Sequence, residues 1–430
     1  MLGAFANAFR TPDLRKKLLF VLLVIVIFRL GSQIPTPGVH VSNVQACFDQ
    51  TKNDGVYGLI NLFSGGALLQ LTIFALGIMP YITASIILQL LVVVIPRLET
   101  LKKEGQAGQT KITQYTRYLT LALAILQATG IVALARSRQL LQGCAEPLLY
   151  KEDSLMTMLV MVITMTAGTA VIMWLGELIT DRGIGNGMSI LIFATVVASF
   201  PSSLWAVKVS RGWWVFALML AIGLVLVAAV IFMEQGQRRI PVQYARRMVG
   251  RKMFGGSSTY IPLKVNQAGV IPVIFASSLL YLPAMASQFS GSAQWSAWIS
   301  TYLVKGDHPI YMAFYFAMII FFTYFYVAIT FNPEEVADNM KKYGGFIPGI
   351  RAGKPTEEYL AYVLARITLP GALYLGLISL VPLIAIALVN ANQNFPFGGT
   401  SILIMVGVAL DTVKQIESQL QQRNYEGFLR

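Results

Sequence analysis

The chain has 430 residues, of which 56% are apolar and 12% charged, and its formal charge is +13. Ten segments of about 20 residues each satisfy the apolar-run criterion for a transmembrane helix. This composition excludes a soluble globular protein and predicts an all-α polytopic membrane protein. The charge of +13 is compatible with nucleic-acid binding, but in a membrane protein the location of the positive residues matters more than their sum.

The predicted spans, in chain order, fall near residues 18–34, 71–95, 115–135, 155–179, 184–203, 213–233, 268–290, 309–330, 367–389 and 400–419. No small-residue cleavage site follows the first apolar run, so we expect it to be retained as a span. All but eight of the 33 Lys and Arg residues lie on the side that holds the N-terminus and the loops after even-numbered spans. The positive-inside rule makes that side the cytoplasm, so both termini are predicted to be cytoplasmic.

A division at the loop around Pro201 to Arg211 gives five spans in each half. An odd number of spans per half forces the halves into opposite orientations, which is the arrangement of inverted-repeat transport proteins. The predicted halves are residues 1–203 and 204–430. This inference rests on the span count, because no residue-level repeat is visible.

The stretch from Leu59 to Ile95 holds 37 consecutive residues without a charged side chain. As one helix it would be ~55 Å long, whereas the hydrocarbon core of a bilayer is ~30 Å thick. Ser64, Gly65 and Gly66 interrupt it, and Gly-Gly is unfavourable inside a helix. We therefore predict a short helix that does not cross the membrane, around Tyr57 to Ser64, and a full span from Leu71. Broken backbone at membrane depth also implies a cavity inside the protein.

Residues that carry bond chemistry are scarce. Cys47 and Cys144 fall in predicted outer loops, where a disulfide and two separate thiols are both open. The only histidines, His40 and His308, lie apart, so no metal site is predicted. There is no P-loop and no nucleophile elbow. The chain is predicted to be no enzyme and to need no cofactor.

The predicted membrane interior lacks the ionisable groups that a proton- or ion-coupled carrier needs. The acidic residues nearest to it lie at cytoplasmic helix ends and are interpreted as interfacial: Glu177, Asp181, Glu234 and Asp411. The middle of the spans holds mostly Ile, Leu, Val and Met, with polar Thr72, Gln89 and Asn266. An apolar constriction suits a pore that retains ions yet admits a bulky passenger, although ordinary helix packing explains any single Ile.

Two cytoplasmic loops exceed the length of simple connectors. Residues 234–267 carry seven Lys or Arg against Glu234 alone, a sum of +6, and a Gly pair between extended-favouring residues predicts a protruding hairpin. Its charge fits RNA phosphates, anionic lipid or topology enforcement equally well. Residues 331–366 sum to zero, and their Gly344 to Arg351 turn is interpreted as a docking site for another protein.

Motifs spread in order over nearly the whole chain resemble the SecY family of bacterial protein-conducting channels. They are Gly77-Ile78-Met79-Pro80-Tyr81-Ile82 through Gln89-Leu90-Leu91, Gly183-Ile184-Gly185-Asn186-Gly187, Arg238-Arg239-Ile240-Pro241, Ile261-Pro262-Leu263-Lys264-Val265-Asn266 through Phe275-Ala276-Ser277-Ser278, Phe331-Asn332-Pro333 with Ala337-Asp338-Asn339, Gly344 to Arg351, and Gly398-Gly399-Thr400-Ser401. Each motif alone is weak, whereas their ordered set is specific.

The resemblance implies a clamshell of ten transmembrane helices in two inverted five-helix halves, around a pore that opens sideways between the second and seventh spans. Its pore ring would be Ile78, Ile82, Met188, Ile192, Ile274 and Ile404, with Met188 in place of the usual isoleucine. The re-entrant plug helix would be residues 57–68, with Tyr57, Leu59, Ile60, Asn61, Leu62, Phe63, Ser64 and Gly65. The lateral gate would carry Thr72, Gln89 and Asn266.

The resemblance also implies partners. Arg246, Arg247, Arg251 and Lys252 would dock the ribosome through its RNA, and Arg351 would couple to the SecA motor ATPase. SecE and SecG would be the small membrane subunits, and phospholipid, signal sequences and unfolded secretory or membrane polypeptides would contact the channel. The implied location is the bacterial plasma (inner) membrane.

We thus expect the central channel subunit of the general protein translocation machinery, driven by SecA or a translating ribosome. The alternative is a small-solute secondary transporter, which ten spans in inverted halves also allow, and a third possibility is a membrane-embedded scaffold. Missing midplane carboxylates and two large docking loops argue against the transporter.

Overall fold

The computed structural model describes residues 11–44, 67–68, 70–136, 148–150, 154–244, 247–249, 252–254, 258–277, 279–280, 298–299, 302–303, 308–389 and 399–428. Within these residues, five helical segments are long and apolar enough to cross a membrane: Gln106–Arg136, Leu155–Arg182, Gly212–Gln235, Pro309–Lys342 and Lys354–Val381. The fourth of these segments contains two helices, Pro309–Thr330 and Pro333–Lys342. A bent pair, Met79–Val94 with Pro96–Lys103, is a sixth candidate. The protein is therefore a helical, multi-pass membrane protein, and the count of ten spans stays a prediction.

The first helix, α1 (Pro12–Gly31), agrees with the first predicted span, but the second span begins later than predicted. Residues 71–78 form turns, and the helix α2 is Met79–Val94. Leu71 has a φ of 48° and Gly77 a φ of 56°, both outside the α region. The predicted helix start at Leu71 is therefore wrong, because these two residues leave the helical conformation.

The chain after α1 satisfies the backbone of this non-helical stretch. The amide of Ile73 donates to the carbonyl of Ile34 over 2.9 Å, and the amide of Thr36 donates to that of Leu71 over 3.0 Å. The Thr36 hydroxyl donates to the same Leu71 oxygen over 2.7 Å. These bonds replace the intrahelical bonds that a continuous span would have made.

The connection predicted at residues 96–114 is mostly helical, which the sequence analysis did not predict. Helix α3 (Pro96–Lys103) follows α2 at an angle of 99°, and helix α4 (Gln106–Arg136) begins nine residues before the predicted third span. Pro96 has no amide hydrogen and cannot continue the α2 ladder, which explains the bend.

Helix α5 (Leu155–Arg182) confirms the fourth predicted span. Spans five and six lie in the range α6 (Gly187–Gln235), which consists of two helices that meet at a kink at Gly212, where φ is 83°. The predicted loop between Pro201 and Arg211 is therefore helical. Glycine tolerates the positive φ that ends the first helical segment.

The two long loops, residues 234–267 and 331–366, contain short strands that join them. The first loop has β1 (Gln237–Tyr244), β2 (Arg247–Val249), β3 (Lys252–Phe254) and β4 (Ser258–Lys264). Strands β1 and β4 pair antiparallel, as do β2 and β3, so the loop contains antiparallel strands. The strands on either side of the Gly255-Gly256 pair, β3 and β4, belong to different sheets, so the predicted position of the hairpin turn is wrong. The second loop has helix α8 (Pro333–Lys342) and strand β5 (Gly345–Phe346), which pairs with the other edge of β1. A shared core of Ile240, Leu263, Met340 and Leu360 lies beneath this sheet.

The C-terminal helices mostly extend beyond their predicted spans. Helix α7 (Pro309–Thr330) confirms the eighth span. Helix α9 (Lys354–Val389) begins 13 residues before the ninth span, and helix α10 (Gly399–Phe428) ends nine residues after the tenth. The seventh predicted span is represented by the helical residues 271–277 and 279–280.

A glycine on α5 lets that helix approach the non-helical stretch closely. A Cβ at Gly168 would overlap the backbone oxygen of Ile73, which has no freedom to move aside. A Cβ at Gly176, two turns later on α5, would meet only the flexible thioether of Met188.

We predict that Gly168→Ala destabilises the protein by about 1–3 kcal/mol, the usual cost of overpacking. Gly176→Ala is the matched control and should cost clearly less, because the Met188 side chain can change rotamer. Thermal unfolding in detergent measures both, and equal midpoints for the two variants would contradict the close approach.

Candidate functional site

All six predicted pore-ring residues fall in one hydrophobic cluster. Ile78, Ile192 and Ile404 are buried in it, and Ile82, Met188 and Ile274 pack against it. They come from the turn before α2, from α2, from the start of α6, from residues 271–277 and from α10. The structure thus brings together apolar side chains that lie far apart in the sequence.

The start of α6 is held by its own polar residues. The Asn186 side chain accepts hydrogen bonds from the amides of Met188 and Ser189, as an N-cap does. The Gly187 amide donates to the Thr180 hydroxyl of α5 over 2.9 Å. A Cβ at Gly187 would overlap the Gly176 carbonyl of α5, so only glycine fits there. The Gly185-Asn186-Gly187 motif therefore places Met188 and Ile192.

A cavity of about 390 Å³ lies against this cluster. Four of the six predicted ring residues line it: Ile82, Met188, Ile192 and Ile274. Other parts of its wall are polar and include Gln89, Arg117, Glu177, Thr180 and Asp181. The acidic residues belong to the C-terminal end of α5, the end that the charge distribution assigns to the cytoplasm. The cavity is thus polar towards that side and apolar against the cluster.

An ion pair in the cavity wall links α4 to α5. The Arg117 Nε and Nη2 atoms donate to the two carboxylate oxygens of Glu177 over 2.9 and 2.7 Å. Arg117 Nη1 also donates to Gln114 over 3.0 Å. Only 19% of the Glu177 side chain is exposed. The sequence interpretation of Glu177 as merely interfacial missed this partner, which lies 60 residues away and leaves no pattern.

The three predicted lateral-gate residues have separate surroundings. The buried Thr72 hydroxyl donates to the Ala67 carbonyl over 3.3 Å, and Gln89 lines the cavity. The Asn266 amide nitrogen donates to the Glu234 carboxylate over 2.5 Å and to the Gly269 carbonyl over 3.1 Å. Glu234 lies at a helix end, as predicted, but it is also buried and has a partner that its interpretation as an interfacial residue did not include.

The predicted docking residues lie on the two joined loops, residues 234–267 and 331–366. Arg247 is on β2 and Lys252 is on β3, next to the turn of that hairpin, and Arg351 is exposed. Arg246 and Arg251 lie outside the described residues. The pairing of β5 with β1 makes the two loops one body, which the sequence did not reveal.

Two other predictions fall on residues that are not described. The plug residues Tyr57 to Gly65 lie outside the described part of the chain. Of the 57–68 segment, the structure describes Ala67 and Leu68, and both are buried in the core. Cys47 and Cys144 also lie outside it, so their pairing stays open.

Comparison with known proteins gives a consistent set of relatives. The sequence model of the SecY family matches residues 72–413. The protein translocase subunit SecY of Streptomyces scabiei is 70% identical, and that of Mycobacterium tuberculosis strain H37Rv is 59% identical, each over 100% of both chains.

Solved structures with much lower identity share the fold. A protein-conducting channel superposes with a TM-score of 0.62 at 19% identity, covering 93% of this chain and 91% of the other. Sec61 in the canine ribosome-channel complex from the endoplasmic reticulum gives a TM-score of 0.59 at 17% identity with the same coverage.

We predict that a double-mutant cycle on Arg117→Ala and Glu177→Ala gives a coupling free energy of about 1 kcal/mol, the upper part of the range for partly exposed ion pairs. The geometry is bidentate and one partner is largely buried, which favours the upper end. Thermal unfolding in detergent supplies the four values.

The exposed pair Lys103–Glu99, with an N–O distance of 2.7 Å, is the matched control. Its coupling should be smaller because water competes for both groups. A coupling at Arg117–Glu177 no larger than this control would show that the pair does not link α4 to α5.

Proposed function

Because this chain belongs to the SecY family, we propose that it is the central channel subunit of the protein translocation machinery. In this role it passes unfolded secretory polypeptides across the membrane and releases apolar segments sideways into lipid. The observation that carries the proposal is that the six predicted ring side chains meet in one apolar cluster, next to a cavity with a partly polar wall.

The chemistry of that cluster suits a general conduit. An apolar constriction excludes ions and water by dewetting, yet makes no directional bond that would select one peptide sequence. Ile and Met side chains can change rotamer around a passing chain, and Met188 is the most adaptable of the six. The polar side chains of the cavity wall can form hydrogen bonds with the peptide backbone before the backbone reaches the constriction.

The proposed lateral exit lies beside α2, where Gln89 faces the cavity. Interhelical hydrogen bonds in membranes contribute only about 1 kcal/mol each, so a hydrophobic signal helix can displace them. Residues 57–68 are proposed to act as the plug on the outer side. The proposed division into halves at residues 203 and 204 rests on the predicted span count.

The joined cytoplasmic loops are the proposed docking surface. The first loop has a net charge of +6, which favours ribosomal RNA through Arg246, Arg247, Arg251 and Lys252. The exposed Arg351 is proposed to meet SecA. SecE and SecG are the proposed membrane partners, and the charge asymmetry supports a bacterial inner-membrane location with both termini in the cytoplasm.

We predict that a stalled secretory chain crosslinks to a photoreactive probe at Ile82 or Ile274. A probe at Leu159, which is exposed on the outer surface of α5, is the control and should crosslink to lipid instead. Equal crosslinking of the secretory chain at all three positions, or none at the first two, would contradict a path through the cluster.

We predict that Arg351→Glu lowers SecA-driven export about tenfold or more, the loss expected when one charge-assisted contact of about 1.4 kcal/mol is removed. Export is measured in vesicles with the purified motor, at equal amounts of channel. Lys354→Glu, an exposed charge reversal three residues away, is the matched control. Unimpaired export by Arg351→Glu would remove its assigned role.

A further inference from the structure

Glu234 and Asn266 stand on either side of the base of the β1–β4 ladder. Glu234 lies in the last turn of α6, and β1 begins at Gln237. Asn266 follows β4, which ends at Lys264. The first ladder pair joins Gln237 to Lys264, and the Val265 amide donates to the Gly236 carbonyl over 2.9 Å. The two side chains therefore face each other where the sheet of β4, β1 and β5, the proposed docking surface, connects to the helices.

The contact between these two side chains is buried. Glu234 is 9% exposed and Asn266 is 3% exposed, and the Asn266 Nδ2 atom donates to Glu234 Oε1 over 2.5 Å. A buried carboxylate is costly without a hydrogen-bond donor, so the amide is a strong partner for it. Separating the two without replacement leaves a buried charged group unsatisfied.

Asn266 also belongs to the segment that carries part of the pore cluster. Its Nδ2 atom donates to the Gly269 carbonyl over 3.1 Å, and the helical residues 271–277 that follow include Ile274. A Cβ at Gly371 of α9 would overlap the Val265 backbone, so this connection is also packed tightly against α9. Lys264 Nζ lies 3.7 Å from Asp411 of α10, the helix that carries Ile404.

We propose that Glu234 is a positioning residue of the gate. Its carboxylate holds Asn266, and through it the start of the Ile274 helix, in the closed position. A force that a docked partner applies to the sheet of β4, β1 and β5 then breaks the bond between Glu234 and Asn266. The start of the helix that carries Ile274 is released, and the pore cluster moves with it. The inference rests on the proposed channel function and adds to it the link between partner docking and opening.

The experiment compares four variants in reconstituted vesicles with the purified motor ATPase: Glu234→Ala, Glu234→Gln, Asn266→Asp and the swap Glu234→Gln with Asn266→Asp. The substrates are a secretory precursor with an intact signal and one whose apolar signal segment is shortened. The ratio of their export rates reports how stringently the gate stays closed, and thermal unfolding reports stability separately.

We expect Glu234→Ala and Asn266→Asp to raise export of the shortened-signal precursor about tenfold, as expected from losing a hydrogen bond to a charged group. Asn266→Asp adds repulsion between two carboxylates. Glu234→Gln keeps an acceptor without the charge, so it should give an intermediate ratio. The swap restores an amide–carboxylate pair with the roles reversed and should recover most of the wild-type stringency.

Glu99→Gln removes an exposed carboxylate on the same side and is the control, with wild-type stringency expected. The inference is overturned if the single variants reject the shortened signal as strictly as the wild type, or if the swap is no better than Asn266→Asp. Reduced stability with unchanged stringency would also overturn it, since that marks a purely structural contact. Failure of the wild type to export the intact precursor would instead refute the proposed function.

Discussion

The structure depends on satisfying the backbone where a membrane span is not helical. In hydrocarbon no water replaces a missing intrahelical bond, so such a stretch exists only when protein atoms pair with it. Here the chain after α1 pairs with residues 71–73, and the absence of a side chain at Gly168 lets α5 close over them. The start of α2 is thereby fixed, and with it Ile78 and Ile82 of the apolar cluster.

Apolar and charged side chains occupy different parts of the site, the first in the cluster and the second in the cavity wall. The six predicted ring side chains come from five separate segments and are apolar, so they place no charged or hydrogen-bonding group where they meet. Arg117 and Glu177 lie in the polar part of the cavity wall, where they neutralise each other and link α4 to α5. The ion pair therefore contributes to helix placement. None of the six predicted ring residues is charged.

The sheet of β4, β1 and β5 changes how the two long loops are understood. Individually, one is basic and one is neutral, which suggests two independent docking sites. The pairing of β5 with β1 and the shared core around Leu263 make them one body. That body joins the helices next to the contact between Glu234 and Asn266, so both loops share this connection.

Sequence patterns determined what depends on local composition. The lengths of apolar runs located the spans of α5 and α7, the extended-favouring residues of the 234–267 loop predicted its strands, and the ordered motifs identified the family. Tertiary structure decided where the helices that begin at Met79, Gln106 and Lys354 start. Bends and contacts with other segments of the chain set those limits, whereas the lengths of apolar runs do not. Tertiary structure alone revealed Arg117–Glu177, Glu234–Asn266 and β1–β5, since each joins residues at least 32 positions apart and such distances leave no periodic signal.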